Sequence, residues 1–494
     1  MCPVSETAET PTELASAHGP AAAATGASPP AAGDSVLTVH NPRTGKLVGS
    51  VDCASREQVA LAVSLARSTA AEWAGTDPAE RGRLLRSAAA RLSAAAKLLA
   101  DLNHAETGRP VDEALAGIAA GVSTLQQYAE LGPVHRGHSL RGSALAADYT
   151  VPEPRGVAVL LTPWNDPVAV AAGLIGAALV TGNTVIHKPS ERCPHLGIAL
   201  GEALSDAFPA GVLTTLTGGA DVGTMLTNLD GVDVYAHVGS SATGARIARA
   251  AVLTGAHVIR ENGGNDALLV DADVDPGWAA EQAAIGAFSN SGQICTSVER
   301  IYVHRAVAEA FCDALVEQAR RRNTSAPLAP LVDTRLRNAV HAQVAEALEL
   351  GARAVTGGAI PDGPGSHYPA TVLLDCTERM TVMTEETFGP VAPVTVVDSF
   401  EEGLRLAAGG HYGLAATVLT GSIDHAHHAI AALPVGTVKI NAVFGGAPGG
   451  AARPRADSGD GFGYGPELMD EFSRIKVVHV GIPPARSAAP GGQS

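Results

Sequence analysis

From Arg155 onward the chain alternates short runs that are apolar on both faces with apolar or amphipathic stretches of helical length. RGVAVLL reads as a strand, VAVAAGLIGAALV as a helix, TVIHKP as a strand, HLGIALGEAL as a helix and VLTTLTG as a strand, followed by VDVYAHVG and AHVIRENGG with helices between. A strand that is apolar on both faces must be covered on both, so this order predicts a parallel sheet with helices packed on each side. A second alternation begins near Ala267 with DALLVD, a helix from Trp278 to Ser289, ERIYVH, a long helix through Arg322, and strands at 392–397 and 414–420. The fold class is therefore α/β, with two parallel-sheet domains.

Length and composition fit that architecture. At 494 residues the chain is too long for one ordinary core and suits two large domains. Before the alternation, Val36 to Val51 reads as short strands around the turn NPRTG, and alanine-rich stretches with helical periodicity run to about Glu130. Residues 1–34, rich in Ala, Pro, Ser and Thr with no basic or apolar leader pattern, read as a disordered tail, and residues 487–494 as a second one. The apolar run from Val168 to Val180 falls short of the ~20 residues that span a bilayer and reads as a buried helix. With 34 basic against 50 acidic side chains and a formal charge of −16, the surface would repel nucleic acid and anionic lipid. Small-molecule chemistry is the expectation, with neither nucleic acid nor membrane as a partner. The six cysteines show no CxxC pair or nearby histidine spacing, so no disulfide framework or metal site is expected and a reducing cytoplasm fits. The histidines of DHAHH (424–428) read as a solvated helix face. SRIKVVHV (473–480) reads as an extended strand without an evident partner in the preceding domain, free to add to another subunit's sheet.

Three windows carry residues suited to chemistry. In FSNSGQICTSVERIYV (288–303), Cys295 follows a Gly–Gln turn where backbone N–H groups would favour its thiolate, although a small buried hydrophobe is the commoner fate of a cysteine. In LTPWNDP (161–167), Asn165 stands where a strand ends, a place where open α/β sheets put functional side chains. Its amide could donate to a developing oxyanion, or complete a turn before Pro167. In IRENGGND (259–266), Glu261 ends an apolar strand beside two glycines that allow close approach, a placement better suited to a general base than to a surface glutamate.

PWN at 163–165, HKPSE at 187–191, ENGG at 261–264, GQIC at 292–295 and ETFGP at 386–390 together, in this order, resemble the aldehyde dehydrogenase superfamily, from about Asn41 to Val480. The resemblance implies a Rossmann-like NAD-binding domain (35–133 and 153–259), a catalytic domain (260–465) and a small β oligomerisation arm (134–152 and 466–486), assembling as a homodimer or homotetramer. It implies that Cys295 captures the aldehyde as a thiohemiacetal, with the oxyanion held by the Cys295 backbone N–H and Asn165. Hydride would then pass to the nicotinamide, and Glu261 would activate the water that hydrolyses the thioester. The cofactor contacts it implies are Thr162, Pro163, Trp164, Lys188, Ser190, Glu191, Gly223, Gly239, Ser240, Glu386 and Phe388. A carboxylate such as Glu191 accepts ribose hydroxyls but repels a 2′-phosphate, which favours NAD over NADP as cofactor. Glu261 favours hydrolysis over acyl transfer to coenzyme A, and the intact set of residues favours an enzyme over a non-catalytic binding member.

The chain departs from the family pattern around the substrate tunnel. Asp166 stands where most relatives have an aromatic residue, which suits a polar, hydroxylated or cationic substrate unless Asp166 only caps the helix that begins at Pro167. The stretch from Gly445 to Gly465 also differs, and its Arg453, Arg455 and Ser458 would rim the tunnel, where the arginines could bind a substrate carboxylate. Asp166 and these arginines point to opposite substrate charges. His237 replaces a usual Phe, and Asn262 and Asn265 a usual Leu and Lys, without removing a catalytic group.

Overall fold

The structure, a computed structural model, describes residues 35–325, 327–445 and 451–483. The expected tails at 1–34 and 487–494 lie outside these residues.

The first sheet has the spatial order Gly459–Asp460, His257–Glu261, Val234–Val238, Val157–Leu161, Thr184–Lys188, Leu213–Thr215. Its five longer strands are parallel, and only the two-residue Gly459–Asp460 runs antiparallel. Alternate residues feed two cores. Ala158, Leu160, Val185 and Ala236 pack against the helices Pro78–Ala94, Val111–Leu131 and Pro167–Val180, while Val157, Val159, Ile186 and Tyr235 pack under Arg56–Gly75, Ala220–Thr227 and Ser241–Thr254. Pro167–Val180 starts with proline at its first turn and is buried apart from Ala169 and Val170, as its uninterrupted apolar sequence requires. The chain enters the sheet at its middle, moves outward twice, then returns to the other side at Val234–Val238. The loops after Val157–Leu161 and Val234–Val238 therefore diverge and open a crevice at the strands' carboxyl ends.

The second sheet is ordered Arg353–Thr356, Thr371–Leu374, Val391–Val397, Val298–His304, Asp266–Val270, Ala415–Leu419, Thr437–Ile440, antiparallel only at its Arg353–Thr356 edge. Both faces are buried, against Pro276–Phe288 and Arg305–Thr324 on one side and Thr334–Glu349, Phe400–Ala407 and Ile423–Ala432 on the other. The third sheet is small: Ser473–Val480 pairs antiparallel with Ala147–Pro154 along all eight residues, and Ser139–Leu140 adds beyond. The terminal strand thus pairs outside the domain that precedes it, with the segment at 147–154, and its other edge stays at the margin of the sheet.

Two stretches pack differently from their sequence reading. Gly459–Asp460 pairs with Arg260 and Glu261, and Leu468, Met469 and Phe472 enter the first sheet's core, so the segment after 458 is stitched to the first domain. His425 is not merely solvated: its Nδ1 lies 2.6 Å from Asp271 and its ring stacks on Phe400 at 3.9 Å. Among the described residues no helix is long and apolar enough to cross a membrane.

Candidate active site

The two sheets meet where Glu261 ends a strand of the first and Asp266, five residues on, begins a strand of the second. Beside this link runs the loop that carries Cys295. Asn290, Ser291 and Gly292 take three successive left-handed conformations (φ 46°, 57° and 75°), a costly backbone for the two residues with a Cβ. Buried hydrogen bonds offset the cost. Gln293 donates to Asn290 O at 2.9 Å and accepts from Val332 N at 2.9 Å, Ser291 donates to Ala329 O at 2.7 Å, and Ser297 to Gly292 O at 3.1 Å. Gly292 is required, since a Cβ there would stand 2.1 Å from Gly389 O.

Functional groups from distant segments converge on this loop. The Asn165 amide donates to Gln293 O at 3.2 Å, and Asn290 donates back to Asn165 O at 3.4 Å. Gly264 lies so close that a Cβ there would be 3.2 Å from Cys295 O and 2.7 Å from Asp266 Oδ1. Glu386 Oε1 accepts from Gly264 N at 3.3 Å, and Glu261 Oε1 accepts from Gly463 N at 2.9 Å. Thiol, amide and two carboxylates thus share one spot, at the carboxyl end of the first sheet and the amino end of the second.

The electrostatics overturn one expectation. Burial, then Glu261, Asp266 and Glu386, push the Cys295 thiol up to about 12, with Lys439 pulling the other way. The turn was expected to favour thiolate, but burial of the thiol first, and carboxylates arriving from other segments second, act against it. Burial also raises Glu261 to about 8, against the Gly463 N–H that favours its charged form. Asp266 rises to about 8 and Glu299 to about 7, both chiefly by burial, and Glu386 rises well above the usual carboxylate range through burial and the neighbouring Glu299. Glu299 was missed by the sequence reading. It accepts from Thr387 N and Phe388 N, each at 2.8 Å, and so fixes the strap that carries Glu386 and Phe388, the latter at φ 52°.

The crevice of the first sheet gathers the residues assigned to a cofactor. Thr162 and Pro163 leave the strand buried, with the Thr162 hydroxyl engaged by His187 Nε2 at 2.9 Å. Trp164 sits between the edge of Phe388, 5.5 Å away, and the Arg192 guanidinium at 5.1 Å. Burial lowers Lys188, whose Nζ donates to Pro189 O at 3.0 Å, while Glu191 opposes the shift. Ser190 accepts from Arg192 N at 3.2 Å. Glu191 lies at the surface as a residue, and the desolvation of its carboxylate is outweighed by Lys188, a backbone N–H, Arg192 and Arg335, which hold it below its ordinary value. Gly239 N donates to Glu261 O, and Ser240 caps the helix Ser241–Thr254. The Ser241 hydroxyl is buried there without a partner, and a Cβ on Gly223 would meet nothing within 4 Å. A capped helix start with a spare buried hydroxyl, at the switch point of a parallel sheet, fits the phosphates of a dinucleotide.

The residues assigned to substrate separate. Asp166 makes no side-chain cap bond to its helix and pairs instead with Arg109 Nη1 at 3.0 Å. The same Nη1 donates to Asn165 O at 3.1 Å, so Arg109 touches both residues, and no local pattern in the sequence pointed to it. Arg453 pairs with Asp460 at 2.8 Å and, with Arg455 and Arg260, lines an open cleft of about 500 Å³ that none of Asn165, Glu261 or Cys295 lines. Ser458 is fully buried and accepts from Gly413 N at 3.0 Å, so its hydroxyl serves the fold.

Comparison with known proteins agrees with this geometry. The model of the aldehyde dehydrogenase family matches residues 30–478. A betaine aldehyde dehydrogenase of Cereibacter sphaeroides is 34% identical over 461 residues, covering 91% of this chain and 94% of the relative. The solved lactaldehyde dehydrogenase of Escherichia coli superimposes with a TM-score of 0.87 at 29% identity, over 91% of this chain and 96% of that one. A succinate-semialdehyde dehydrogenase of Burkholderia pseudomallei gives 0.87 at 31% identity, over 90% and 95%. Fold, converging site and likeness along nearly the whole described chain lead to one assignment: the chain belongs to the aldehyde dehydrogenase family, enzymes that oxidise aldehydes with NAD(P).

Proposed function

We propose that Cys295 is the nucleophile of an NAD-dependent, hydrolytic aldehyde oxidation, with Asn165 and Glu261 as its partners. The observation that carries this reading is the meeting of Asn165, Glu261 and Gly264 around the Cys295 loop, from three segments far apart in the chain. A thiol resting near 12 needs a base, and Glu261, at about 8 and within electrostatic reach, accepts its proton as the sulfur bonds to the aldehyde carbon. The Cys295 N–H and Asn165 amide hold the oxyanion, each contributing on the order of 3 kcal/mol. A bound nicotinamide would supply the hydride acceptor for oxidation of the thiohemiacetal to the thioester on Cys295. Glu261, deprotonated again, draws a proton from water, the hydroxide adds to the thioester carbon, and carboxylate leaves as the thiol reforms.

For the cofactor, Glu191 supports NAD over NADP. Of the three cations that act on it, Arg192 and Arg335 both engage Asp333, at 3.1 and 2.9 Å, and Lys188 donates to Pro189 O, so no ion pair among the described residues occupies the Glu191 carboxylate and it can meet the ribose. Glu386 and Phe388 would hold the nicotinamide end, and Ser240, Ser241 and Gly239 the phosphates. Assembly as a homo-oligomer is supported by the edge strand Ser473–Val480, which leaves Ile475 and Val477 58% and 67% exposed, and a cytoplasmic setting by six cysteines without a CxxC pair. The division into 35–133 with 153–259, 260–465, and an arm of 134–152 with 466–486 goes with this reading, except that Gly459–Asp460 and the residues Leu468, Met469 and Phe472 pack onto the first sheet.

Acid-quenched reactions with NAD and an aldehyde panel test it. The expected result is NADH and free acid in equal amounts, abolished in Cys295→Ala, with both NADH formation and acid release slowed in Glu261→Gln, which lacks the base for either step. Full activity of Cys295→Ala sinks the reading, and acyl-CoA as the sole product moves it to the acylating class.

A further inference from the structure

The pair formed by Arg109 and Asp166 has no counterpart in the reaction just described. Arg109 leaves the chain between the helices Ala96–Thr107 and Val111–Leu131, and its side chain is only 16% exposed. Its Nη1 divides between Asn165 O and Asp166 Oδ1, and its Nε is buried without a hydrogen bond, 3.8 Å from Glu113. Gly117 makes room for the pair, because a Cβ there would stand 2.8 Å from Asp166 Oδ1. The guanidinium is thus locked against the residue that follows Asn165.

Two polar groups of this pair remain unspent. Arg109 Nη2 and Asp166 Oδ2 make no hydrogen bond among the described residues, and the two side chains keep 16% and 38% of their surface exposed. One is a donor and the other an acceptor, fixed together one residue from the amide assigned to the oxyanion. We propose that Arg109 and Asp166 read a hydroxyl group on the aldehyde, so that the substrate class is hydroxyaldehydes. This rests on the reading of Cys295 and Asn165 given above.

Charge and desolvation select among substrates. A cationic aldehyde meets an Asp166 carboxylate already neutralised at 3.0 Å by Arg109 and would have to break that pair. A carboxylate-bearing aldehyde meets Asp166 and Glu113, two negative charges against one guanidinium. An unsubstituted aldehyde strips water from Nη2 and Oδ2 and returns no hydrogen bond. A hydroxyl alone donates to Oδ2 and accepts from Nη2, and so replaces the water it displaces.

The test is kcat/KM with NAD for propanal, 2-hydroxypropanal, trimethylammonioacetaldehyde and succinate semialdehyde, in the wild type, Asp166→Ala, Asp166→Asn and Arg109→Lys. The wild type is expected to prefer 2-hydroxypropanal over propanal by roughly 10- to 100-fold. In Asp166→Ala the preference should fall to about twofold, while the isosteric Asp166→Asn, which keeps an acceptor oxygen, retains part of it. Arg109→Lys, which loses the fork, should lower the same ratio and also kcat for every aldehyde, because Asn165 loses its support. A wild-type ratio near one, a ratio unmoved by Asp166→Ala, or a charged aldehyde as best substrate overturns the proposal. If Cys295-dependent oxidation persists in that case, only the hydroxyl assignment falls. If the wild type oxidises no aldehyde, the underlying reading falls with it.

Discussion

Two irregular segments reach the catalytic spot, 289–297 and 451–465, and they are held in opposite ways. The first is pinned from within: Gln293 is 2% exposed and bonded at both ends of its amide, and Ser291 and Ser297 spend their hydroxyls on backbone carbonyls. The second is tied at a few points, through Ser458 to Gly413, Gly463 N to Glu261 and the short pairing with Arg260, while Arg453 and Arg455 lie outside. A nucleophile must be placed to a fraction of an ångström, and buried polar bonds provide that. The arginines of the outer segment have no such duty and stay in solvent.

The sharpest way to break this contrast is Gly292→Ala. The new methyl would stand 2.1 Å from Gly389 O at a φ of 75°, so the loop must move. The expected loss is about 3 kcal/mol or more in urea unfolding, with catalysis lost alongside. A change below about 1 kcal/mol would show that the loop is not rigidly pinned. Next comes Glu299→Ala, which strands the buried N–H groups of Thr387 and Phe388. About 2–3 kcal/mol of stability should go, with KM for NAD rising because the Glu386–Phe388 strap loosens. Glu299→Gln, which keeps an acceptor, should cost less, and equal losses in the two variants would assign the effect to charge instead.

The third effect is one of pH. Burial holds Glu261 at about 8, so at neutral pH most of it is protonated and cannot serve as base. Thioester hydrolysis should rise as pH climbs toward 8, by up to about tenfold per unit, or 1.4 kcal/mol, and then level off. Single-turnover hydrolysis of the acyl-enzyme from pH 6 to 9.5 measures this. A plateau already reached at pH 6 would mean that Glu261 is not the base, or is not desolvated when the acyl group is in place.

These effects fall unevenly on what the sequence reveals. The strands of both sheets were legible because residues apolar on both faces leave one arrangement, a covered parallel sheet. That Cys295, Asn165 and Glu261 deserved singling out was legible because each stands in a short local pattern, and the fold brings their segments together. The thiol's resting protonation was not, since it depends on Glu261, Asp266 and Glu386, which only the fold brings together. Arg109 lies 56 residues from Asn165, and nothing near it in the chain announces the contact. Glu299 did leave a signal: a charged pair, Glu299 and Arg300, inside the otherwise apolar strand Val298–His304 is a misfit that marks a buried anchor. The Ser458 hydroxyl misled in the other direction, a polar residue in a loop that turns inward to serve the backbone.

The smallest expected effect tests the other half of the contrast. Arg453 and Asp460 form a 2.8 Å ion pair with side chains 57% and 56% exposed, and water screens such pairs so well that they contribute little. Arg453→Ala should therefore change stability by no more than about 0.5 kcal/mol, and that difference should shrink further at high salt. Its kinetics should match the wild type for neutral aldehydes and for carboxylate-bearing ones alike, because the cleft it lines includes none of Asn165, Glu261 and Cys295. Kinetics with succinate semialdehyde decide the point. A tenfold rise in KM for that substrate alone would place Arg453 on the path to Cys295, and the outer segment would then be a recognition element, with the acid-binding role first read from its arginines restored.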